Sequence, residues 1–257
     1  MKFSIIGFGN LGKALAHALI NSKSAKPEEI YIFDKSPEAL ALAKDNPFNL
    51  NALTNINLVI TKSDFIFLAL KGYVFEEISD QIDKTLLKGK TVVSFMAGET
   101  FENIYKHIGD DLTLVRAMPS LAIAFLEGVI GYTKAPPELS EVFHRFGYAL
   151  ETEPENVEKF MAFSACGLGY AAYLIDAFAV AGENMGFSVE TAAEIAGLTF
   201  KNAVERGGFK GTVKAVATPG GATEQGVNYM DDCHVHEIVA QAIQKAYERY
   251  TLHSEEN

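Results

Sequence analysis

FSIIGFGNLGKALAHALI, residues 3–20, decides the fold. A short apolar run, FSII, leads into a glycine-rich turn, after which Leu11, Ala14, Leu15, Ala18 and Leu19 recur at helical spacing. Gly7, Gly9 and Gly12 make G-x-G-x-x-G between that strand and that helix, the context in which the motif has a mechanism. Gly7 permits the tight turn, Gly9 lets the backbone approach a pyrophosphate, and Gly12 lets helix and strand pack closely. The helix N-terminus then attracts the phosphates. The alternative is a turn that merely joins strand to helix. Asp34 lies 22 residues after Gly12, at the end of a second apolar run, EIYIFD (29–34), where a ribose-binding carboxylate is expected. Gly7, Phe8, Gly9, Asn10, Leu11, Gly12, Asp34, Lys35 and Ser36 are therefore the candidate contacts to a dinucleotide. An ionised Asp34 would repel a 2′-phosphate, whereas Lys35 and Ser36 could hold one. NAD and NADP both stay open on this reading.

The same alternation continues outward. LVI (58–60), FIFLAL (65–70), TVVSF (91–95) and LTLVRA (112–117) read as short buried strands. SPEALALAKD (36–45) reads as a helix capped by Ser36 with Pro37 first, VFEEISDQIDKTL (74–86) as another, and residues 138–147 as a third, followed by a polar link through 151–156. Strands alternating with helices predict a parallel sheet covered on both faces. From about residue 155 the strand signals stop. Residues 158–186 read as one long apolar helix, buried on most sides; 188–207, capped by Ser188, as a second; 212–218 as a short one; and Thr223 to about Leu252 as a helical tail. The expected fold class is α/β: a Rossmann dinucleotide-binding domain over 1–154, then an all-helical dimerisation and substrate-binding domain over 155–257. The helical half has more apolar surface than it can bury alone, which favours packing against a second subunit over a bundle closing on the first domain.

Composition narrows the function. The 257 residues are 48% hydrophobic and carry a formal net charge of −11, without a large basic cluster, so nucleic acid is not expected as a partner. Two cysteines make no disulfide framework, and MKFSIIGFGN lacks the uniform apolar core of a signal peptide, so a cytoplasmic location is expected. No stretch of about 20 apolar residues free of charge or glycine is found, so no membrane span is expected. Cys166 sits in an apolar helix and reads as a small buried hydrophobe rather than a nucleophile. MDDCHVHE (230–237) looks metal-like, but three or four ligands from one turn are poor geometry, and no metal site is expected.

Several segments in order, GFGNLGKAL (7–15), FLALKG (67–72), VVSFMAGE (92–99), VRAMPS (115–120), FSACGLGYAAY (163–173) and ATPGGATEQGV (217–227), resemble the pyrroline-5-carboxylate reductase family across nearly the whole chain. PGGAT (219–223) is the most specific. The resemblance implies hydride transfer from a reduced nicotinamide, NADPH or NADH, to the C=N carbon of a cyclic imino acid, giving proline. It adds Ala69, Leu70 and Lys71 to the cofactor contacts. It implies interleaved helical domains in a homodimer, with dimers often stacked into rings. It places substrate near Ser164, Gly167, Gly220, Gly221 and Ala222, with Thr223 as the catalytic hydrogen-bonding group. The residues agree: amides after Pro219 lead into a helix and could bind a carboxylate, and the Thr223 hydroxyl could donate to an imine nitrogen. A turn followed by an N-cap threonine is the plain alternative.

The resemblance fails in places. The family's Met-Pro-Asn-Thr-Pro is Met118-Pro119-Ser120-Leu121-Ala122, its Lys-Pro is Lys71-Gly72, and its Ser-Gly-Ser-Gly-Pro-Ala-Tyr is Ser164-Ala165-Cys166-Gly167-Leu168-Gly169-Tyr170. The segment before PGGAT has Lys214-Ala215-Val216 in place of the usual acidic or amide residue. These changes gather where substrate is expected, while the glycine loop is intact. A reductase for another imine or oxo acid, or a dinucleotide-binding sensor or scaffold without catalysis, are the other readings.

Overall fold

The computed structural model describes residues 1–45 and 49–251. It divides into two compact units, residues 1–165 with the C-terminal stretch from 246, and residues 166–245. Contacts thus divide the chain eleven residues beyond the 154/155 boundary read from the sequence, because the helical turns over 157–165 pack on the sheet of the first unit.

The first unit is built on eight strands in the order β3-β2-β1-β4-β5-β6-β7-β8. They are β1 (Phe3–Ile6), β2 (Ile30–Phe33), β3 (Asn51–Ala52), β4 (Phe65–Leu68), β5 (Thr91–Ser94), β6 (Thr113–Pro119), β7 (Gly128–Tyr132) and β8 (Gly147–Glu151). From β3 through β6 every pairing is parallel; β6 and β7 pair antiparallel, and β8 runs parallel to β7. This is a doubly wound sheet whose direction of winding reverses between β1 and β4.

Side chains alternate across the strands, and each set meets helices. Phe3, Ile5, Phe65 and Phe67 face one layer, packed with α1 (Asn10–Asn21), α2 (Pro37–Asp45) and α6 (Pro137–Arg145). Ile6, Ile66 and Leu68 face the other, with α3 (Ile56–Thr61), α4 (Gly72–Ser79) and α5 (Phe101–Ile108). Buried Ser4 is satisfied by donating to the carbonyl of Val59 at 2.8 Å.

Three expectations are corrected here. Residues 58–60 are not a strand but part of α3. Asn55 caps that helix by accepting from Asn57 and Leu58, and Ile56, Val59 and Ile60 are buried at helical spacing while Leu58 is exposed. The helix expected over 74–86 ends at Ser79, and Asp83 starts a separate 3-10 turn by accepting from the amide of Thr85 at 3.0 Å. The helix expected over 138–147 ends at Arg145, and residues 147–151 form a strand, β8, on the sheet edge before the polar link.

The expected long helix is three pieces: α7 (Val157–Phe160) and a wider π-type turn over 161–165, both in the first unit, and α8 (Gly167–Asn184), which opens the helical second unit. Then come α9 (Val189–Arg206), with Ser188 as cap, and α10 (Phe209–Val216). The tail is two helices, α11 (Ala222–Asp232) and α12 (Val235–Thr251), interrupted where His234 takes a left-handed φ of 55°. Helices α8 and α9 pack together, Gly182 leaving room for Ala192, with the rings of Phe178 and Phe200 5.7 Å apart edge to face. Burial on most sides is not found within one chain. Ala179 is the buried residue of α8, and Tyr173 is 73% exposed. By length and composition alone the run Pro154–Asn184 could cross a membrane, a test that core and interface helices also pass.

Candidate functional site

The glycine loop has the geometry its spacing predicts. Gly7 has φ +99°, and a Cβ there would strike the carbonyl of Ala69 at the end of β4. Gly12 leaves no room either, since its Cβ would fall on the Gly7 carbonyl. Beside Gly9 the protein leaves open space. Gly9 is also the N-cap of α1 and offers no side chain to the first-turn amides, which carry no acidic neighbour in that turn. An open approach at Gly9 and uncapped amides behind it fit a phosphate.

Asp34 holds this loop in register with β2. Its Oδ2 accepts the amide hydrogen of Phe8 at 2.7 Å, and its Oδ1 that of Ser36 at 2.8 Å. The Phe8 side chain is buried in the core, so that residue contributes its backbone. Gly7, Gly9, Asp34, Lys35, Ala69, Leu70 and Lys71 line one cleft of about 240 Å³, together with Phe33, Tyr73, Val74 and Ile78. Asn10, Leu11 and Gly12 form the first turn of α1, and Ser36 follows Lys35. The α4 wall was missed in the sequence reading. A signal existed, since a helix beginning directly after Lys71 must bring its first turns to the same crevice.

The two groups expected to hold a 2′-phosphate are already engaged. Lys35 Nζ is 2.6 Å from Glu77 Oε2 of α4, a hydrogen bond that raises the lysine pKa. Ser36 Oγ donates to Glu38 Oε2 at 2.6 Å, which lowers the pKa of Glu38, and accepts from the amide of Ala39 at 3.2 Å.

The departures from the family pattern have local causes. Arg116 is buried and forms an ion pair with Glu158 of α7 (Nη2 to Oε1, 2.5 Å), while Nη2 also donates to the carbonyl of Met96 at 3.2 Å. Ser120 follows β6 and ties the start of the connecting turn to β7. Its amide donates to the carbonyl of Val129 at 2.9 Å, and its Oγ accepts the Val129 amide at 3.2 Å. Leu121 then opens a 3-10 turn over 121–125 and is exposed. Glu99 lies against Gly72: its carboxylate stands where a Cβ at residue 72 would fall, and accepts from Asn103 Nδ2 at 2.5 Å. A further hollow of about 310 Å³ in this unit is lined by Gly98, Glu99, Arg116, Glu158 and Tyr250, among others.

In the second unit, Gly220 has φ +77° and closes the turn after Pro219. The expectation of open amides is corrected for the two glycines. The Gly220 amide donates to Glu224 Oε2 at 2.7 Å and that of Gly221 to the carbonyl of Thr218 at 2.8 Å. Ala222 and Thr223 open α11 beyond Gly221, which caps without a side chain, and Thr223 is exposed. Ser164 belongs to the wide turn of the first unit and Gly167 starts α8 in the second; both are half-buried. Burial pushes the Cys166 thiol pKa up, and Tyr170 partly offsets this by hydrogen bonding. The break at Cys233 and His234 separates Asp232 from His236, so MDDCHVHE does not present one helix face.

Sheet, glycine turn and acceptor carboxylate together define a dinucleotide-binding oxidoreductase of the Rossmann type. Residues 2–98 match the family described as NADP oxidoreductase coenzyme F420-dependent, and residues 154–252 match pyrroline-5-carboxylate reductase dimerisation. The pyrroline-5-carboxylate reductase of Escherichia coli is 28% identical over 96% of this chain and 96% of its own, and pyrroline-5-carboxylate reductase 2 of Bacillus subtilis is 25% identical over 96% and 93%. The Plasmodium falciparum pyrroline carboxylate reductase, solved with NADP bound, superposes with a TM-score of 0.88 at 22% identity, covering 98% of this chain and 97% of that one. Along nearly its whole length the chain is similar to pyrroline-5-carboxylate reductases.

Proposed function

We propose that this protein reduces 1-pyrroline-5-carboxylate to proline. The observation that carries the reading is the pairing, on one chain that aligns with these reductases along nearly its full length, of a glycine turn open at Gly9 with a PGGAT turn whose helix begins at Ala222. A reduced nicotinamide bound at the glycine loop supplies the hydride that reaches the C=N carbon. The first-turn amides of α11 are suited to the substrate carboxylate. The Thr223 hydroxyl donates to the imine nitrogen, orients it, and helps the proton reach it as the C=N bond is reduced. Ser164 and Gly167 line the substrate. Gly220 and Gly221 act by shape, since their amides are used within the turn.

The protein works as a homodimer. The exposed apolar residues of α8 and α9 and the match to a dimerisation domain support this. Assembly of dimers into a ring rests on the family resemblance. A cytoplasmic location, away from membranes, suits a chain whose two cysteines are not joined in a disulfide.

A related reductase for another cyclic imine is the second reading. It is favoured by Ser120, whose hydroxyl is committed to β7, and by the apolar Leu121 beside it. Incubation with reduced nicotinamide and pyrroline-5-carboxylate, followed by chromatography for proline, separates the two. Proline formation supports the first reading, and turnover with a different imine alone supports the second.

A further inference from the structure

We propose that this reductase selects NADH over NADPH, with Asp34 as the selecting residue and Glu77 as its accomplice through Lys35. The proposal rests on reading the loop from Gly7 to Gly12 as the dinucleotide site, and goes beyond it by choosing between the two cofactors.

Asp34 ends β2, beside the turn that follows β1. Both its oxygens are fixed, one by the Phe8 amide at 2.7 Å and one by the Ser36 amide at 2.8 Å. A carboxylate has about four acceptor positions, so roughly two remain for the hydroxyls of an adenosine ribose. Those hydroxyls are donors and suit an acceptor held in place. A 2′-phosphate carries about −1.5 to −2 charge at neutral pH and meets Asp34 as a like charge.

A site for the phosphate needs a free cation beside that carboxylate, and the neighbouring residues do not provide one. Lys35 Nζ is held at 2.6 Å by Glu77. Ser36 Oγ donates to Glu38 at 2.6 Å. Among the described residues in these contacts, three carboxylates, Asp34, Glu38 and Glu77, stand against one ammonium, that of Lys35. Lys71, the other cation of the cleft, follows β4, which lies on the far side of β1 from β2. To bind NADPH, the loop would have to break the Lys35–Glu77 pair and still leave the phosphate facing Asp34. To bind NADH, it changes nothing.

The test is a fluorescence titration of purified protein with NADH and with NADPH, without substrate. The wild type is expected to bind NADH at least about tenfold more tightly, since like charges at contact disfavour a complex strongly. Asp34→Ser should weaken NADH and bring the two dissociation constants within about threefold of each other, as expected when one repulsive contact is removed. Asp34 also anchors two backbone amides, so Glu77→Gln, an exposed change that frees Lys35, gives a second arm. It should tighten NADPH severalfold and narrow the ratio. Wild-type binding of NADPH as tight as that of NADH, or tighter, overturns the proposal, as does a ratio unmoved by both variants. Binding of neither cofactor would refute the dinucleotide site itself, and the selection with it.

Discussion

Gly12 packs so closely on the carbonyl of Gly7 that no side chain fits between them, whereas the space beside Gly9 is open. The three glycines therefore do different work. Gly7 and Gly12 shape the crossing of β1 and α1, and Gly9 keeps a surface clear for a ligand.

Gly9→Ala should cost only about 1 kcal/mol of stability, the loss expected when alanine replaces glycine at an N-cap, because its φ of −74° is open to alanine and no protein atom is near. Dinucleotide affinity should nonetheless fall at least about tenfold, the loss expected when close backbone approach is blocked. Gly12→Ala should lose both stability and binding. Thermal unfolding beside cofactor titration checks the contrast; equal affinity for Gly9→Ala and wild type would contradict it.

Arg116 and Glu158 are buried partners joining β6 to α7. Glu158→Ala leaves the guanidinium buried and uncompensated, at a cost of about 3–5 kcal/mol, while replacing both (Arg116→Met with Glu158→Leu) should recover most of that. Urea unfolding of the singles and the double measures it. Additive losses in the double variant would mean that the pair is not coupled.

Thr223 is exposed at the start of α11, where Gly221 and not Thr223 occupies the capping position. Thr223→Ala should lower kcat about a hundredfold, the lower range for a positioned proton donor, with little change in melting temperature. Thr223→Ser should restore much of the rate. Unchanged turnover in Thr223→Ala would remove the hydroxyl from the mechanism.

Desolvation raises the Cys166 thiol pKa. The thiolate is the reactive form, so alkylation of Cys166 should still be rising with pH where an ordinary thiol has levelled off. Exposed Cys233 should be modified first at neutral pH. Peptide mapping after timed iodoacetamide treatment decides this. Faster labelling of Cys166 would point to a nucleophile.

Tyr173, 73% exposed on α8, lies on the face assigned to the second subunit. Tyr173→Asp should shift the protein from dimer to monomer in sedimentation, as a buried charge without a partner destabilises an apolar interface. A dimer of unchanged strength would place the interface elsewhere.

What was legible in the sequence followed periodicity and glycine spacing. The β1–α1 turn, Asp34 and the strands around them are local patterns, and the structure keeps them. LVI was misread because three apolar residues in a row fit a buried strand as well as a helical stripe; only Asn55 as cap distinguishes them. In β7 and β8 Gly128, Gly131 and Gly147 interrupt the strand pattern that Val129, Ile130 and Tyr132 begin, and the two strands are completed by pairing, β7 with β6 and β8 with β7. The engagement of Lys35 by Glu77 joins residues 42 apart and had no signal in the chain. For the same reason Glu99 was overlooked. Its meaning appears only when it is seen filling the place above Gly72.

The most direct measurement of the central claim is the initial rate of loss of reduced-nicotinamide absorbance with pyrroline-5-carboxylate as substrate. An enzyme of ordinary competence should turn over at about 1 s⁻¹ or more with NADH, and Thr223→Ala at a small fraction of that. Saturable binding of the cofactor without any oxidation by pyrroline-5-carboxylate would contradict the assignment.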